Sequence, residues 1–150
     1  MVDIKEKLWA FVLLAGILGI VSIFTPTIYI SDEDAFIWVW NLYITNNIGF
    51  VQTDEILFTL GVVATIFIAL GTLITLFSGV VSKIKNKNIG IFALIGGLLL
   101  LLGPIIYLGG ISTEEGIWEY FSVNVGSILP LIAGIISILA GIMGILKRKL

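Results

Sequence analysis

The feature that most restricts this chain is a set of four long apolar runs that contain no charged residue. The runs cover residues 8–24, 56–81, 89–111 and 127–146. An uncharged run of roughly 18 or more residues can form a helix that crosses about 30 Å of hydrocarbon. Hydrophobic residues make up 59% of the 150 residues, which is more apolar surface than a water-soluble chain of this length can bury. The sequence predicts an all-α membrane protein, a four-transmembrane-helix bundle forming one domain over residues 1–150.

The basic residues outside these runs are confined to three segments, and two loops contain none. The eight basic residues lie in the N-terminal segment, the middle loop and the C-terminal segment: Lys5, Lys7, Lys83, Lys85, Lys87, Lys147, Arg148 and Lys149. In the loops 25–55 and 112–126 all charged residues are acidic. They are Asp32, Glu33, Asp34, Asp54, Glu55, Glu114, Glu115 and Glu119. Basic loops remain on the cytoplasmic side of a membrane. We therefore expect a multi-pass plasma-membrane protein with both termini in the cytoplasm.

The first run could be a cleaved signal peptide or a permanent membrane anchor. Lys5 and Lys7 followed by an apolar run are also typical of a signal peptide, but no small-residue cleavage site follows the run. We therefore expect the run to be a permanent anchor. The isoleucine-rich, cysteine-free composition favours a prokaryotic source.

Several kinds of chemistry are excluded by residue type. The chain has no cysteine and no histidine, so it lacks thiol nucleophiles, disulfides, imidazole bases and the usual zinc ligands. The acidic loops offer oxygen ligands of the kind that calcium prefers, but without EF-hand spacing, and a solvated turn explains residues 31–34 equally well. The sequence predicts no catalytic residue, no cofactor, no metal site and no nucleic-acid partner.

The fourth run carries a stripe of small residues, Ala133, Ser137 and Gly141, at four-residue spacing. Small residues allow helices to approach closely inside a bilayer. Two interpretations remain open at this point. The stripe either closes the four-helix bundle or provides a face for a neighbouring membrane protein.

The first outer loop predicts a small extracellular antiparallel sheet. Residues 36–45 alternate with period two and are rich in aromatic and β-branched side chains, as expected of one strand. Asn46 and Asn47 supply turn residues, residues 48–52 can return as a second strand, and residues 27–30 can add a third. We expect the second outer loop to pack against this sheet, as a short extended segment or as an extension of the third helix.

One short segment of this loop resembles a known family. Trp40-Asn41-Leu42-Tyr43 is similar to the Gly-Leu-Trp motif that the claudin and peripheral-myelin-protein superfamily carries on a strand of its first outer loop. On this mapping Asn41, Leu42 and Tyr43 correspond to Gly, Leu and Trp, and Tyr29 lies near the place of a further family Trp.

The chain departs from that family at other positions. It lacks the two loop cysteines, and Asp54 and Glu55 occupy the region where the family has an Arg. The resemblance implies a left-handed four-helix bundle with an extracellular sheet, and a role in lateral or cell-surface assembly.

These patterns favour a non-enzymatic tetraspan that mediates protein assembly through its helices and outer sheet, with itself or with another membrane or surface protein. The candidate contact residues are five tryptophan and tyrosine residues of the outer loops: Trp38, Trp40, Tyr43, Trp118 and Tyr120. Such residues are also typical of the aromatic belt at a membrane interface. Two alternatives remain: an accessory subunit of a membrane enzyme or transporter, and a small oligomeric channel or carrier lined by Thr65, Thr72 and Thr75.

Overall fold

The fold contains four helices in a closed bundle. The structure is a computed structural model that describes residues 7–32, 34–40, 42–45, 49–52, 55–85, 90–113 and 117–147. The helices are α1 (Leu8–Phe24), α2 (Glu55–Lys85), α3 (Gly90–Ile111) and α4 (Val125–Lys147). Helix α1 packs on α2 and α4, and α3 packs on the same two helices. The predicted four helices are therefore confirmed.

The helices differ in their capacity to cross a bilayer. Three have spans that are long and apolar enough: Phe58–Ile84, Gly90–Ile111 and Val125–Leu146. Helix α1 is equally apolar but has 17 residues, about 25 Å at 1.5 Å per residue. It falls slightly short of the hydrocarbon thickness, so its length alone does not establish a fourth span.

Within the described residues, the loops 25–55 and 112–126 form a five-stranded antiparallel sheet. Its strands are β1 (Pro26–Ile30), β2 (Ala35–Trp38), β3 (Leu42–Thr45), β4 (Gly49–Gln52) and β5 (Phe121–Val123). They are ordered β4-β3-β2-β1-β5, so the strand from the second outer loop pairs with the first strand of the first loop. The predicted antiparallel sheet is confirmed, and the second loop contributes a strand to it.

The prediction of one continuous strand over residues 36–45 was wrong. The chain turns after Trp38 and returns as β3, which pairs with β2. A straight ten-residue strand would extend roughly 33 Å, whereas two short paired strands stay over the bundle and satisfy each other's backbone groups. The predicted turn at Asn46 and Asn47 lies outside the described residues.

The sheet covers one end of the bundle. Ile28 and Ile37 are completely buried and belong to the same hydrophobic core as Tyr107 and Ile111 of α3. The Ser127 hydroxyl at the start of α4 donates a 2.9 Å hydrogen bond to the backbone carbonyl of Thr27. Apolar burial and buried polar contacts together attach the sheet to the helices.

Candidate interaction surfaces

Trp38 and Trp40 are attached to the end of α1. The indole N–H of Trp38 donates a 3.1 Å hydrogen bond to the carbonyl of Phe24, and that of Trp40 donates a 2.7 Å bond to the carbonyl of Ile23. The last carbonyls of a helix have no partner within the helix itself. The two indoles satisfy two of these groups, and their ring centroids lie 6.4 Å apart.

Trp118 and Tyr120 lie just before β5, Trp118 in a short 3-10 helix, Ile117–Glu119. Trp118 donates a 3.2 Å hydrogen bond to the hydroxyl of Ser112, just beyond the end of α3. The carbonyl of Tyr120 accepts a 3.0 Å bond from the backbone N–H of Ser31. Both side chains are exposed, at 43% for Trp118 and 50% for Tyr120.

The structure does not bring the predicted aromatic contact residues into one patch. Trp38 pairs with Pro26 at the start of β1, whereas Tyr120 contacts Ser31 just after the end of that strand. Tyr43 lies on β3, paired with Ile37 and Val51, and its side chain is outside the described part of the structure. Trp38 and Trp40 thus lie near the start of β1, and Trp118 and Tyr120 lie near its end.

The small-residue stripe of α4 faces α3. Ala133 and Ser137 are completely buried, and the Ser137 hydroxyl donates a 2.6 Å bond to the carbonyl of Ala93. A Cβ added at Gly141 would lie 2.7 Å from the carbonyl oxygen of Gly90 and 2.8 Å from the backbone nitrogen of Leu94. All three positions are therefore used inside the bundle, as the first of the two interpretations requires.

Sequence reasoning overlooked Gly90 and Gly97 as the α3 positions that receive α4. A Cβ at Gly97 would lie 2.8 Å from the carbonyl oxygen of Gly134, and a Cβ at Gly134 would lie 2.8 Å from the carbonyl oxygen of Gly97. The neighbouring Gly96 faces the opposite way, toward Thr75 of α2. The Gly96-Gly97 doublet was the available signal, because two adjacent glycines allow a helix to approach neighbours on two sides.

The threonines proposed to line a pore lie inside the bundle. Thr72 and Thr75 are buried, and the Thr75 hydroxyl lies 3.5 Å from that of Ser137. The hydroxyls of Thr65 and Thr72 have no hydrogen-bond partner among the described residues. The arrangement gives no support to a pore between subunits lined by these residues.

At the sheet end of the bundle, the acidic residues whose side chains are described are Asp32, Asp34 and Glu119. Within the described ranges there is no group of three or more residues of the types that hold metal ions. Asp34 instead accepts a 2.8 Å hydrogen bond from the phenol of Tyr29, in a turn where Asp34 has a positive φ of 47°. This hydrogen bond, together with partial burial and the nearby negative charge, raises the pKa of Tyr29.

Strand β4 forms one edge of the sheet. It pairs with β3 on one side, and no described strand pairs with its other side. Its sequence, Gly-Phe-Val-Gln, contains no charged residue and no proline. Charges, prolines and bulges are the usual devices that prevent an edge strand from pairing with another chain. Within the described residues, β4 is therefore an edge strand that carries neither of the first two devices.

Comparisons with known proteins add no family to these observations. No protein-family model matches the chain, and no curated protein matches its sequence.

Proposed function

We propose that this protein is a non-enzymatic four-span membrane protein whose outer sheet joins it to a second copy in the same membrane. In this arrangement α1 is the fourth span, both termini are cytoplasmic, and the acidic loops lie outside. Two observations support α1 as a span. It is uniformly apolar, and it is packed beside two helices that are each long enough to cross.

The open edge of β4 carries the proposal. A strand from a second copy could pair with it through backbone hydrogen bonds, which is a common mode of protein recognition. The inner face of the sheet covers the end of the bundle, so the sheet lies across that end. A two-fold axis along the membrane normal would then bring two β4 strands together in antiparallel pairing. Both copies would keep the same orientation in the membrane.

The helix faces are less suited to this role. The described small residues of α3 and α4 that permit close approach are occupied by contacts within the chain, apart from Gly109. The outward positions of these helices are large aliphatic side chains such as Ile135 and Leu139. We therefore assign assembly to the sheet and lipid contact to the helices.

The resemblance to the claudin-like superfamily agrees with this proposal. The Leu42-Tyr43 part of the similar motif lies on β3, a strand of the first outer loop. Asn41 lies outside the described residues. Membership of that superfamily is part of the proposal and is supported by topology and this short motif.

Cross-linking in membranes tests the β4 contact. The natural chain has no cysteine, so a single Val51→Cys substitution gives the only thiol. Val51 lies in the interior of β4, and antiparallel self-pairing would place it close to its copy. We expect a disulfide-linked dimer on mild oxidation, and loss of the native dimer in Val51→Lys.

The matched control is Ser122→Cys, on the β5 edge at the opposite side of the sheet. Equal cross-linking at both positions, or none at Val51, would overturn the proposed contact. Purification in fixed stoichiometry with a cofactor-bearing chain would favour the accessory-subunit alternative instead.

Labelling with a membrane-impermeant maleimide tests the orientation. Single cysteines at Asp32, in the turn after β1, and at Lys87, between α2 and α3, lie at opposite ends of the bundle by chain order. We expect Asp32→Cys to react in intact cells and Lys87→Cys to react only after permeabilisation. Reaction of both in intact cells would contradict the proposed topology.

A further inference from the structure

The end of the bundle opposite the sheet carries a contact between a cation and an aromatic ring that joins α1 to α2. The ammonium nitrogen of Lys83 lies 4.7 Å from the centroid of the Trp9 ring. The electron-rich face of the indole ring attracts a cation at this distance. Lys83 is exposed and Trp9 is half-buried, so the charge sits at the surface with one side against the ring.

The packing of α1 and α2 explains why these two residues meet. A Cβ at Gly79 would lie 2.7 Å from the Leu13 side chain, so α1 and α2 approach closely at this point. The two helices run in opposite directions. One helical turn from this contact toward the end of the bundle opposite the sheet, α1 therefore presents Trp9 and α2 presents Lys83. The close approach at Gly79 therefore fixes the position of Lys83 beside Trp9.

Among the residues whose side chains are described, the charges near this contact are basic, whereas Asp3 and Glu6, which precede Lys7 in the sequence, lie outside the described residues. Lys7 is exposed at the start of α1, two residues before Trp9. The first turn of α1 contains no acidic residue, so no carboxylate there neutralises the positive end of the helix dipole. Among the described residues, the acidic side chains whose positions are known, Asp32, Asp34 and Glu119, all lie at the sheet end.

We propose that this surface, made of Lys7, Trp9 and Lys83, binds the headgroup of an anionic phospholipid. The charge is complementary to a lipid phosphate, and the surface lies where the bundle ends and the headgroup layer begins. Trp9 provides the amphipathic ring that prefers this layer. Exposed Ile84, beside Lys83, continues the surface with apolar contact for an acyl chain. We assign a lipid as the occupant because basic and apolar side chains adjoin on this surface, as the phosphate and the acyl chains adjoin in a phospholipid.

Lipid retention measured by native mass spectrometry tests the site. The full-length protein would be equilibrated in mixed micelles containing equal amounts of phosphatidylglycerol and phosphatidylcholine. We expect preferential retention of phosphatidylglycerol. Lys83→Gln should weaken it roughly fivefold, since a basic residue near an anionic surface contributes about 1 kcal/mol. Lys83→Arg, which keeps the charge and the ring contact, should retain it.

Three further variants distinguish a specific site from an effect of general positive charge. Lys147→Gln removes the same charge from the end of α4 and should leave retention unchanged. Trp9→Leu should lower retention, whereas Trp9→Tyr, which keeps an aromatic face, should preserve most of it. Equal losses in Lys147→Gln and Lys83→Gln, or equal retention of the two lipids by the natural chain, would overturn the proposal.

Discussion

The indole N–H of Trp40 donates a 2.7 Å hydrogen bond to the carbonyl oxygen of Ile23, seventeen residues earlier in the chain. This bond crosses from the sheet to the last turn of α1. Trp38 makes the equivalent bond to Phe24. Residues that resemble a partner-binding aromatic surface in the sequence thus have a role in attaching the sheet to a helix end.

Trp40→Phe should destabilise the protein because the Ile23 carbonyl loses its donor while the aromatic bulk is retained. A net loss of about 1 kcal/mol is expected for one such bond. The free energy of unfolding in mixed detergent micelles would measure it. The control is Trp118→Phe, whose indole bonds to the Ser112 hydroxyl in an exposed turn. Equal stability of the natural chain and Trp40→Phe would show that the bond contributes nothing.

Gly141→Ala should destabilise the bundle by about 1–3 kcal/mol, the usual cost of overpacking. The new methyl group would meet the backbone of Gly90 and Leu94 at 2.7–2.8 Å, and backbone atoms cannot move aside cheaply. Gly109→Ala is the matched control, because nothing lies within 4 Å of a Cβ at that position. Unfolding curves of both variants would give their free energies of unfolding. An unchanged free energy of unfolding in Gly141→Ala would contradict the close α3–α4 contact.

The Tyr29–Asp34 pair predicts a contribution to stability that depends on pH. The hydrogen bond from the protonated phenol to Asp34 raises the pKa of Tyr29 in the folded protein. A raised folded pKa means that this contribution is fully present below the unfolded tyrosine pKa of about 10. It is lost as the pH rises through the higher folded pKa.

Tyrosinate absorbance during alkaline titration measures this effect. The difference between the natural chain and Tyr29→Phe isolates the titration of Tyr29, and Asp34→Asn should move its pKa back toward the ordinary value. No change in Asp34→Asn would show that the hydrogen bond is not the cause.

The helices could be predicted from the sequence because uncharged apolar runs of this length have few other structures available. The start and end of α1 coincide with the first run at Leu8 and Phe24. The stripe at Ala133, Ser137 and Gly141 was recognised as a packing face, but its partner was not, since small residues do not indicate which helix they receive. The structure identifies that helix as α3.

The sheet was harder to predict in detail. Alternation with period two continues through residues 36–45, and both faces are apolar, so no change of pattern marks the turn after Trp38. The pairing of β5 with β1 joins residues about ninety positions apart, and local propensity carries no information about such a contact. The cation–π contact between Lys83 and Trp9 could not be predicted either, because it also joins residues far apart in the sequence.

The connections between sheet and helices contain almost no linker. Only Thr25 separates α1 from β1, and only Asn124 separates β5 from α4. The sheet is thus rigidly coupled to two helices, and its height above the bilayer follows their depth and tilt. Because helices respond to a mismatch in bilayer thickness by tilting, membrane thickness would change the angle at which two β4 edges meet in the dimer we propose.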